Sequence, residues 1–391
     1  METMTVAGPA FLSAEDVDAD AIRELVETVT SPESYPHASR VEREIVIYEM
    51  DALAGTISTS AGRREVMNEI VHVLRAGPGV VALPGAVGAD VLERATEAFA
   101  AIVSREKEAG GPAGDHFAAP GANDRVWNAL EKLAVSEPAV FVDYYACEAI
   151  DLVATAWLGP AYQVTSQLNV VNPGGAAQSP HCDYHLGFMS DEQAQQYPSH
   201  AHALSAALTL QGAIAHVDMP VESGPTKLLP HSQKYPQGYL AWRHPDAIEL
   251  FEECHVQLPL AAGDAVFFNP ALFHAAGSNR TDEVHRMANL LQISSAMGRS
   301  TEAVDRGRVV RAIYPELAQR AATWNKPALA RVIAASAEGY PFPTNLDRDQ
   351  PIDGLAPPSQ SDLVQQAVRE RWSPERLDEA LTELSRRRST T

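Results

Sequence analysis

The segment YQVTSQLNVV at residues 162–171 is rich in β-branched side chains and reads as a strand. Short runs of the same kind follow it up to about residue 298. They are HALSAALTLQGAIAHV (202–217), TKLLP (226–230), HVQLPL (255–260), DAVFFN (264–269) and RMANLLQISS (286–295). Polar or Gly/Pro-containing segments such as NPGGAAQSP, PVESGP and AAGSNRTDE separate them. Short strands at this close spacing predict an antiparallel sandwich or barrel.

Outward from this unit the pattern turns helical. Ser13, followed by Glu15, Asp16 and Asp18, marks a helix start. From Arg64 to Arg75 the spacing of Val66, Ile70, Val73 and Leu74 predicts a helix that Gly77-Pro78-Gly79 stops, and VVAL (80–83) then reads as a buried strand. Helices are predicted over 88–107, 123–135 and 138–157. They return after residue 300, the last starting at Ser373-Pro374-Glu375 with Leu377, Ala380, Leu381 and Leu384 on one face. The chain is therefore read as a single elaborated domain over 1–391, with a mainly helical region at 1–160, a β core at 161–298 and a helical region at 299–391.

Composition bounds the function. The 391 residues are 45% apolar and carry a formal net charge of −21, which disfavours nucleic acid and anionic membrane surfaces as partners. No apolar run approaches the ~20 residues that a membrane-spanning helix needs, and no basic segment precedes an apolar one at the start, so a cytoplasmic protein is expected. Cys147, Cys182 and Cys254 are widely separated and form no CxxC, which argues against a disulfide framework or a cysteine zinc site. Only five of the thirty basic residues are Lys, and Ala is abundant, which points to a GC-rich bacterial gene.

The chemistry is concentrated in Gln178-Ser179-Pro180-His181-Cys182-Asp183-Tyr184-His185. In an extended strand His181, Asp183 and His185 project to one face. A His and a carboxylate two residues apart make two-thirds of a facial metal site, and His274, at the end of an aromatic-rich strand, is the candidate third ligand. Two imidazoles and one carboxylate suit Fe(II) and leave positions open for a bidentate 2-oxo acid and dioxygen. The far carboxylate of that acid needs a fixed cation. Arg286, at the start of the strand after His274, is the candidate, with Arg280 as the alternative.

Three stretches, QSPHCDYHLGF (178–188), ESGPTKLLPHSQK (222–234) and GDAVFFNPALFHAAGSNRTDEVHR (263–286), resemble the phytanoyl-CoA dioxygenase family of Fe(II)/2-oxoglutarate oxygenases. The resemblance implies an α+β protein with a double-stranded β-helix (jelly-roll, cupin-like) core flanked by N-terminal and C-terminal helices. It implies His181, Asp183 and His274 as iron ligands and Arg286 as the 2-oxoglutarate clamp. Two positions depart from the family pattern. His285 stands where the clamping Arg often lies, one residue before Arg286, and Ala276 replaces a small hydroxyl residue two after the distal His.

The second H-x-D, His216-Val217-Asp218, reads as a strand end rather than a ligand pair. His185, Phe188 and Trp242 are candidate substrate contacts, with Phe117 a further aromatic that would line a pocket; Asp115-His116 reads as a solvated turn. The expected function is a 2-oxoglutarate-dependent dioxygenase that hydroxylates a small organic metabolite and releases succinate and CO2. The retained Asp183 argues against halogenation, whereas desaturation, epoxidation and ring formation need no different ligands. A cupin-type metalloenzyme, an isomerase or an oxygenase independent of 2-oxoglutarate, is the alternative, and a silent scaffold is the third reading. No basic cluster precedes the Arg run at 386–388, so a substrate smaller than a coenzyme A thioester is expected.

Overall fold

The computed structural model describes residues 10–110, 121–340, 342, 344–352 and 354–390; Asp115, His116 and Phe117 lie outside them. Among the described residues eleven strands follow in chain order: β1 (Arg40–Glu42), β2 (Ile45–Ile47), β3 (Val80–Leu83), β4 (Asn123–Val126), β5 (Tyr162–Val171), β6 (Thr209–Ala215), β7 (Lys227–Leu228), β8 (Val256–Gln257), β9 (Ala265–Phe268), β10 (His274–Ala275) and β11 (Arg286–Ser295). They form an eight-stranded sheet in the order β1-β2-β3-β9-β6-β11-β5-β4 and a three-stranded sheet in the order β10-β7-β8. The fold is the expected mixture of helices around a jelly-roll core.

Strand β11 is the spine. It pairs antiparallel with β5 from Arg286 opposite Val171 to Ser295 opposite Tyr162, and with β6 on its other edge. Because side chains alternate across a strand, each large-sheet strand serves two compartments. Val81, Leu83, Leu210, Ile214, Phe267, Leu291 and Ile293 are buried against the helices. Val80, Ala82, Ala213, Val266 and Phe268 face the other way and pack with Leu228, Leu258 and Leu272 around the small sheet. Each fully buried Leu, Ile or Phe contributes roughly 1.5–3 kcal/mol. Both faces of the large sheet are thus anchored.

The helices over Ser60–Arg75 and Ala89–Glu108 match their predicted positions closely, as does Pro374–Arg388, capped by Ser373. Other boundaries differ. Ser13 caps only a short 3-10 turn, and Asp18 starts the first α-helix, Ala19–Val26. The helix predicted over 123–135 is a strand followed by a helix. Asn123–Val126 pairs with β5, and Asn128, in the left-handed region at φ 52°, reverses the chain into the helix Ala129–Ser136. Pairing with a long neighbour outweighs the local helical pattern there. The single helix predicted over 138–157 is broken at Ala146-Cys147 into Pro138–Tyr145 and Glu148–Leu158. The run at 202–217 begins as part of the helix Ser199–Ala207 before β6. The sheet also draws four strands, β1 to β4, from before residue 161.

Candidate metal centre and cavity

His181 and His274 face each other across one antiparallel step. The His181 N–H donates to the His274 carbonyl (2.9 Å) and the His274 N–H returns the bond (3.1 Å), leaving the ring centroids 4.4 Å apart. Asp183 follows on the same segment, its N–H donating to the Pro270 carbonyl (3.2 Å) and its own carbonyl accepting from Gln211 Nε2 (3.1 Å). Each Asp183 carboxylate oxygen faces one imidazole, Oδ1 at 3.8 Å from His181 Nε2 and Oδ2 at 3.7 Å from His274 Nε2. One ligand atom from each residue lies within 4.8 Å of the other two.

The outer ring nitrogens set the tautomers. His181 Nδ1 donates to the Ser179 carbonyl (3.0 Å) and His274 Nδ1 to the Leu272 carbonyl (2.9 Å). A carbonyl only accepts, so both protons sit on Nδ1 and both Nε2 lone pairs point inward, the arrangement a cation requires. Burial, together with the neighbouring His274, lowers the pKa of His181 and keeps that ring neutral. Burial alone would raise Asp183. Either imidazole when it is protonated, together with the positive charge of Arg125, outweighs it and holds the carboxyl at about 2, ionised at neutral pH. Two neutral imidazoles and one carboxylate on one side, with open space on the other, fit Fe(II).

The open space is a cavity of about 1030 Å³. Its floor follows from strand alternation: Arg286, Ala288, Leu290 and Gln292 of β11 face it, whereas Met287, Leu291 and Ile293 face the helices. Arg286 is buried, and its Nη1 donates to the carbonyls of Ser223 (3.2 Å) and Gly277 (3.1 Å). No acid pairs with it among the described residues. Burial pulls its pKa down to about 10, so it stays charged at neutral pH. Arg280 is exposed, and His285 is turned to Asn172 Oδ1 (2.9 Å), so neither competes for this position.

The ESGPTKLLPHSQK stretch does not enter the metal centre; it braces it. Gly224 adopts φ +74° and closes the turn that presents the Ser223 carbonyl to Arg286. Ser232 Oγ donates to the Leu229 carbonyl (2.7 Å) and accepts the Phe273 N–H (2.9 Å), fixing the residue before His274. His231, at φ 71°, accepts from Lys234 Nζ (2.7 Å) on Nδ1 and donates from Nε2 to Thr30 Oγ1 (3.1 Å).

His185 departs from its predicted place. Past the single bridge at His181 the segment leaves extended geometry, and His185–Phe188 forms a 3-10 turn. Strand alternation therefore does not carry His185 to the metal face. It lines the cavity and donates from Nε2 to the Arg299 carbonyl (2.7 Å). Phe188, 64% exposed, and Trp242, beneath the Arg243 guanidinium at 4.0 Å, also line the cavity.

His216, in the second H-x-D, lies in the helix-packed core. The Thr96 hydroxyl donates to the Leu92 carbonyl (2.8 Å), so His216 Nδ1 donates to Thr96 (2.7 Å) and Nε2 accepts from Tyr144 (3.0 Å). That histidine is fully used.

The sequence reading missed further residues that line the cavity: Arg125, Trp127, Gln167, Asn169, Gln292 and Arg299. Arg125 donates to Gln167 Oε1 and its Cζ lies 4.7 Å from the Trp127 ring. A usable signal existed in β5, where Gln167 and Asn169 alternate with the helix-packed Leu168.

The model of the family described as phytanoyl-CoA dioxygenase (PhyH) matches residues 77–288, more than half of the chain. The chain belongs to the phytanoyl-CoA dioxygenase family. It is accordingly an Fe(II)/2-oxoglutarate-dependent oxygenase, with Fe(II) as cofactor and 2-oxoglutarate as co-substrate. Solved structures similar to it include the non-heme alpha ketoglutarate dependent epimerase SnoN from nogalamycin biosynthesis, at 21% identity over 60% of this chain and 82% of that one, TM-score 0.42. The alpha ketoglutarate dependent carbocyclase SnoK from the same biosynthesis is 22% identical over 62% and 89%, TM-score 0.43. AviO1 from Streptomyces viridochromogenes Tue57 is 17% identical over 60% and 96%, TM-score 0.44. No curated protein matches the chain. Among the described residues, no helix is long and apolar enough to cross a membrane.

Proposed function

We infer that His181, Asp183 and His274 hold the iron, that Arg286 anchors 2-oxoglutarate, and that the enzyme hydroxylates a small organic molecule in the cavity. The observation that carries this reading is the convergence of three ligand atoms within 4.8 Å at one wall of that cavity, with both histidine Nδ1 atoms tied back to carbonyls. Bound Fe(II) supplies the coupling of oxidative decarboxylation of 2-oxoglutarate by dioxygen, giving succinate and CO2, to oxidation of the substrate.

The chain's own residues do the positioning. Asp183 supplies the negative charge that offsets the cation, and the carbonyls of Ser179 and Leu272 keep the two rings oriented. Arg286 is buried without an acid partner among the described residues, so a carboxylate arriving there gains a charge-assisted, two-pronged contact. Its two carbonyl partners hold the guanidinium in place before the ligand arrives. The apolar floor of Ala288, Leu290, Val266 and Phe268 excludes water beside the reacting centre.

The test is anaerobic addition of Fe(II) and 2-oxoglutarate to the purified protein. A weak visible charge-transfer band, followed on air admission by succinate release that needs both additives, is the expected result. Neither band nor succinate would remove the assignment. Mass analysis of the product then separates a gain of one oxygen from a loss of two hydrogens.

A further inference from the structure

Among the residues of β6 that line the cavity, Gln211, Gly212, Ala213 and Ala215, Gln211 alone has a polar side chain. It is only 6% exposed. Burying an amide is costly unless it is hydrogen-bonded, so what the amide touches is informative. Among the described residues its side chain makes a single hydrogen bond, from Nε2 to the main-chain carbonyl of Asp183 (3.1 Å). The anchor behind that bond is stiff. Gln211 pairs with Phe268 of β9 on one edge and with Gln292 of β11 on the other, so its backbone is held from both sides.

The receiving end has no ladder of its own. The bridge between His181 and His274 is isolated, and the chain turns into 3-10 geometry at His185. Between these points Cys182 and Tyr184 are buried with Phe251 and Phe273, and Cys182 Sγ donates to the Ala271 carbonyl (3.4 Å). The Asp183 N–H goes to the Pro270 carbonyl (3.2 Å). Its own carbonyl receives no donor but Gln211 among the described residues. With N–H and C=O both tied, the direction of the Asp183 side chain is set, and its two oxygens lie 3.8 and 3.7 Å from the two Nε2 atoms. Gln292, on the same rung as Gln211, also lines the cavity but makes no bond to Asp183.

We propose that Gln211 is a positioning residue of the metal centre, its amide aiming the Asp183 carboxylate at the cation by holding the main-chain carbonyl of the same residue. The inference rests on the reading of Asp183 as a metal ligand given above. Gln211 acts through Asp183 and not on the metal itself. Partners that orient a ligand in this way typically change metal affinity by roughly 10–100-fold when removed.

The test titrates the full chain, stripped of metal by a chelator, with Co(II), whose visible ligand-field bands report the geometry of its ligands without turnover. Gln211→Met keeps the length of the side chain and removes the donor. Gln211→Asn keeps the amide and withdraws it by one methylene. Each is expected to bind Co(II) about tenfold more weakly than the wild type, with native circular dichroism and altered bands at saturating Co(II). A residue that only supported the fold would leave those bands unmoved. Gln292→Met, on the same rung, is expected to change Co(II) affinity by less than about twofold, with unchanged bands. Wild-type affinity and bands in both Gln211 variants, an equal loss in Gln292→Met, or failure of both Gln211 variants to fold would overturn the proposal. Asp183→Ala, titrated in parallel, reads the metal assignment alone. Loss of Co(II) binding there with none in the Gln211 variants sinks only the present inference, whereas wild-type binding by Asp183→Ala sinks both.

Discussion

A methyl group on Gly224 would stand 2.5 Å from the carbonyl oxygen of Gly277, one of the two oxygens that receive the Arg286 guanidinium. The two glycines let the loops after β6 and β10 close on each other, and Arg286 is bolted across that closure. Gly224→Ala combines this overlap with a left-handed φ that disfavours a side chain. The variant is expected to lose about 1–3 kcal/mol of stability and to bind 2-oxoglutarate several-fold more weakly, with iron affinity little changed. Denaturant unfolding and a 2-oxoglutarate titration of the anaerobic iron complex check the two parts.

Arg286→Ala should weaken 2-oxoglutarate binding by roughly 100-fold, as for a desolvated charge-assisted pair worth about 3 kcal/mol. Arg280→Ala, at an exposed position, should change it by less than twofold. The Arg286 pKa of about 10 lies below the usual arginine value, so its charge is complete at pH 7 and falls as pH rises through 10. Affinity for 2-oxoglutarate should therefore be flat from pH 7 to 9 and decline above that, where ordinary arginine sites show no decline. Titrations at pH 7, 9 and 10 decide it.

Asp183→Ala removes the only carboxylate among the three candidate ligands. Loss of at least 1,000-fold in coupled turnover is expected, an order-of-magnitude figure for removing an interaction of about 4 kcal/mol, while circular dichroism stays native. Substantial turnover in this variant would move the metal elsewhere.

His216 supplies an acid-stability test away from the metal. Burial lowers its pKa to about 3, well below its ordinary value. A depressed histidine pKa means that the unfolded chain takes up a proton first as pH falls, so stability drops between about 6.5 and 3. One such proton contributes a slope of about 1.4 kcal/mol per pH unit in that window. His216→Gln is expected to be less stable at pH 7, because it breaks the Thr96 and Tyr144 bonds, and to show a shallower loss from pH 6 to 4. Urea midpoints at three pH values check both.

Ser232→Ala should leave the Phe273 N–H without its partner beside His274. A cost of about 1–3 kcal/mol and weaker iron retention are expected, readable by unfolding and by competition with a chelator.

The two long strands β5 and β11 were legible to the residue, because each is an apolar-containing run bounded by polar or glycine-containing segments, and those runs coincide with their pairing. The candidate ligand residues were legible too, since His181 and Asp183 are close in sequence and His274 ends a recognisable strand. What escaped reading was set by partners distant in the chain. Asn123–Val126 looks helical alone and becomes a strand only because β5 offers it an edge, so Arg125 went unseen as a cavity residue. His185 was misplaced because alternation presupposes a continuing ladder, and this one ends after a single bridge. The PHS portion of the central motif carries signal for bracing rather than for chemistry, and spacing alone does not separate the two.

That short bridge has a consequence for assembly. The segment bearing His181 and Asp183 is fastened to the strand bearing His274 by few main-chain links, so an ion held by all three side chains would act as a rivet between two lightly stitched edges. Loading the centre and tightening that side of the barrel would then be one event, and amide protons there should exchange faster in the apoprotein than in the iron-loaded protein.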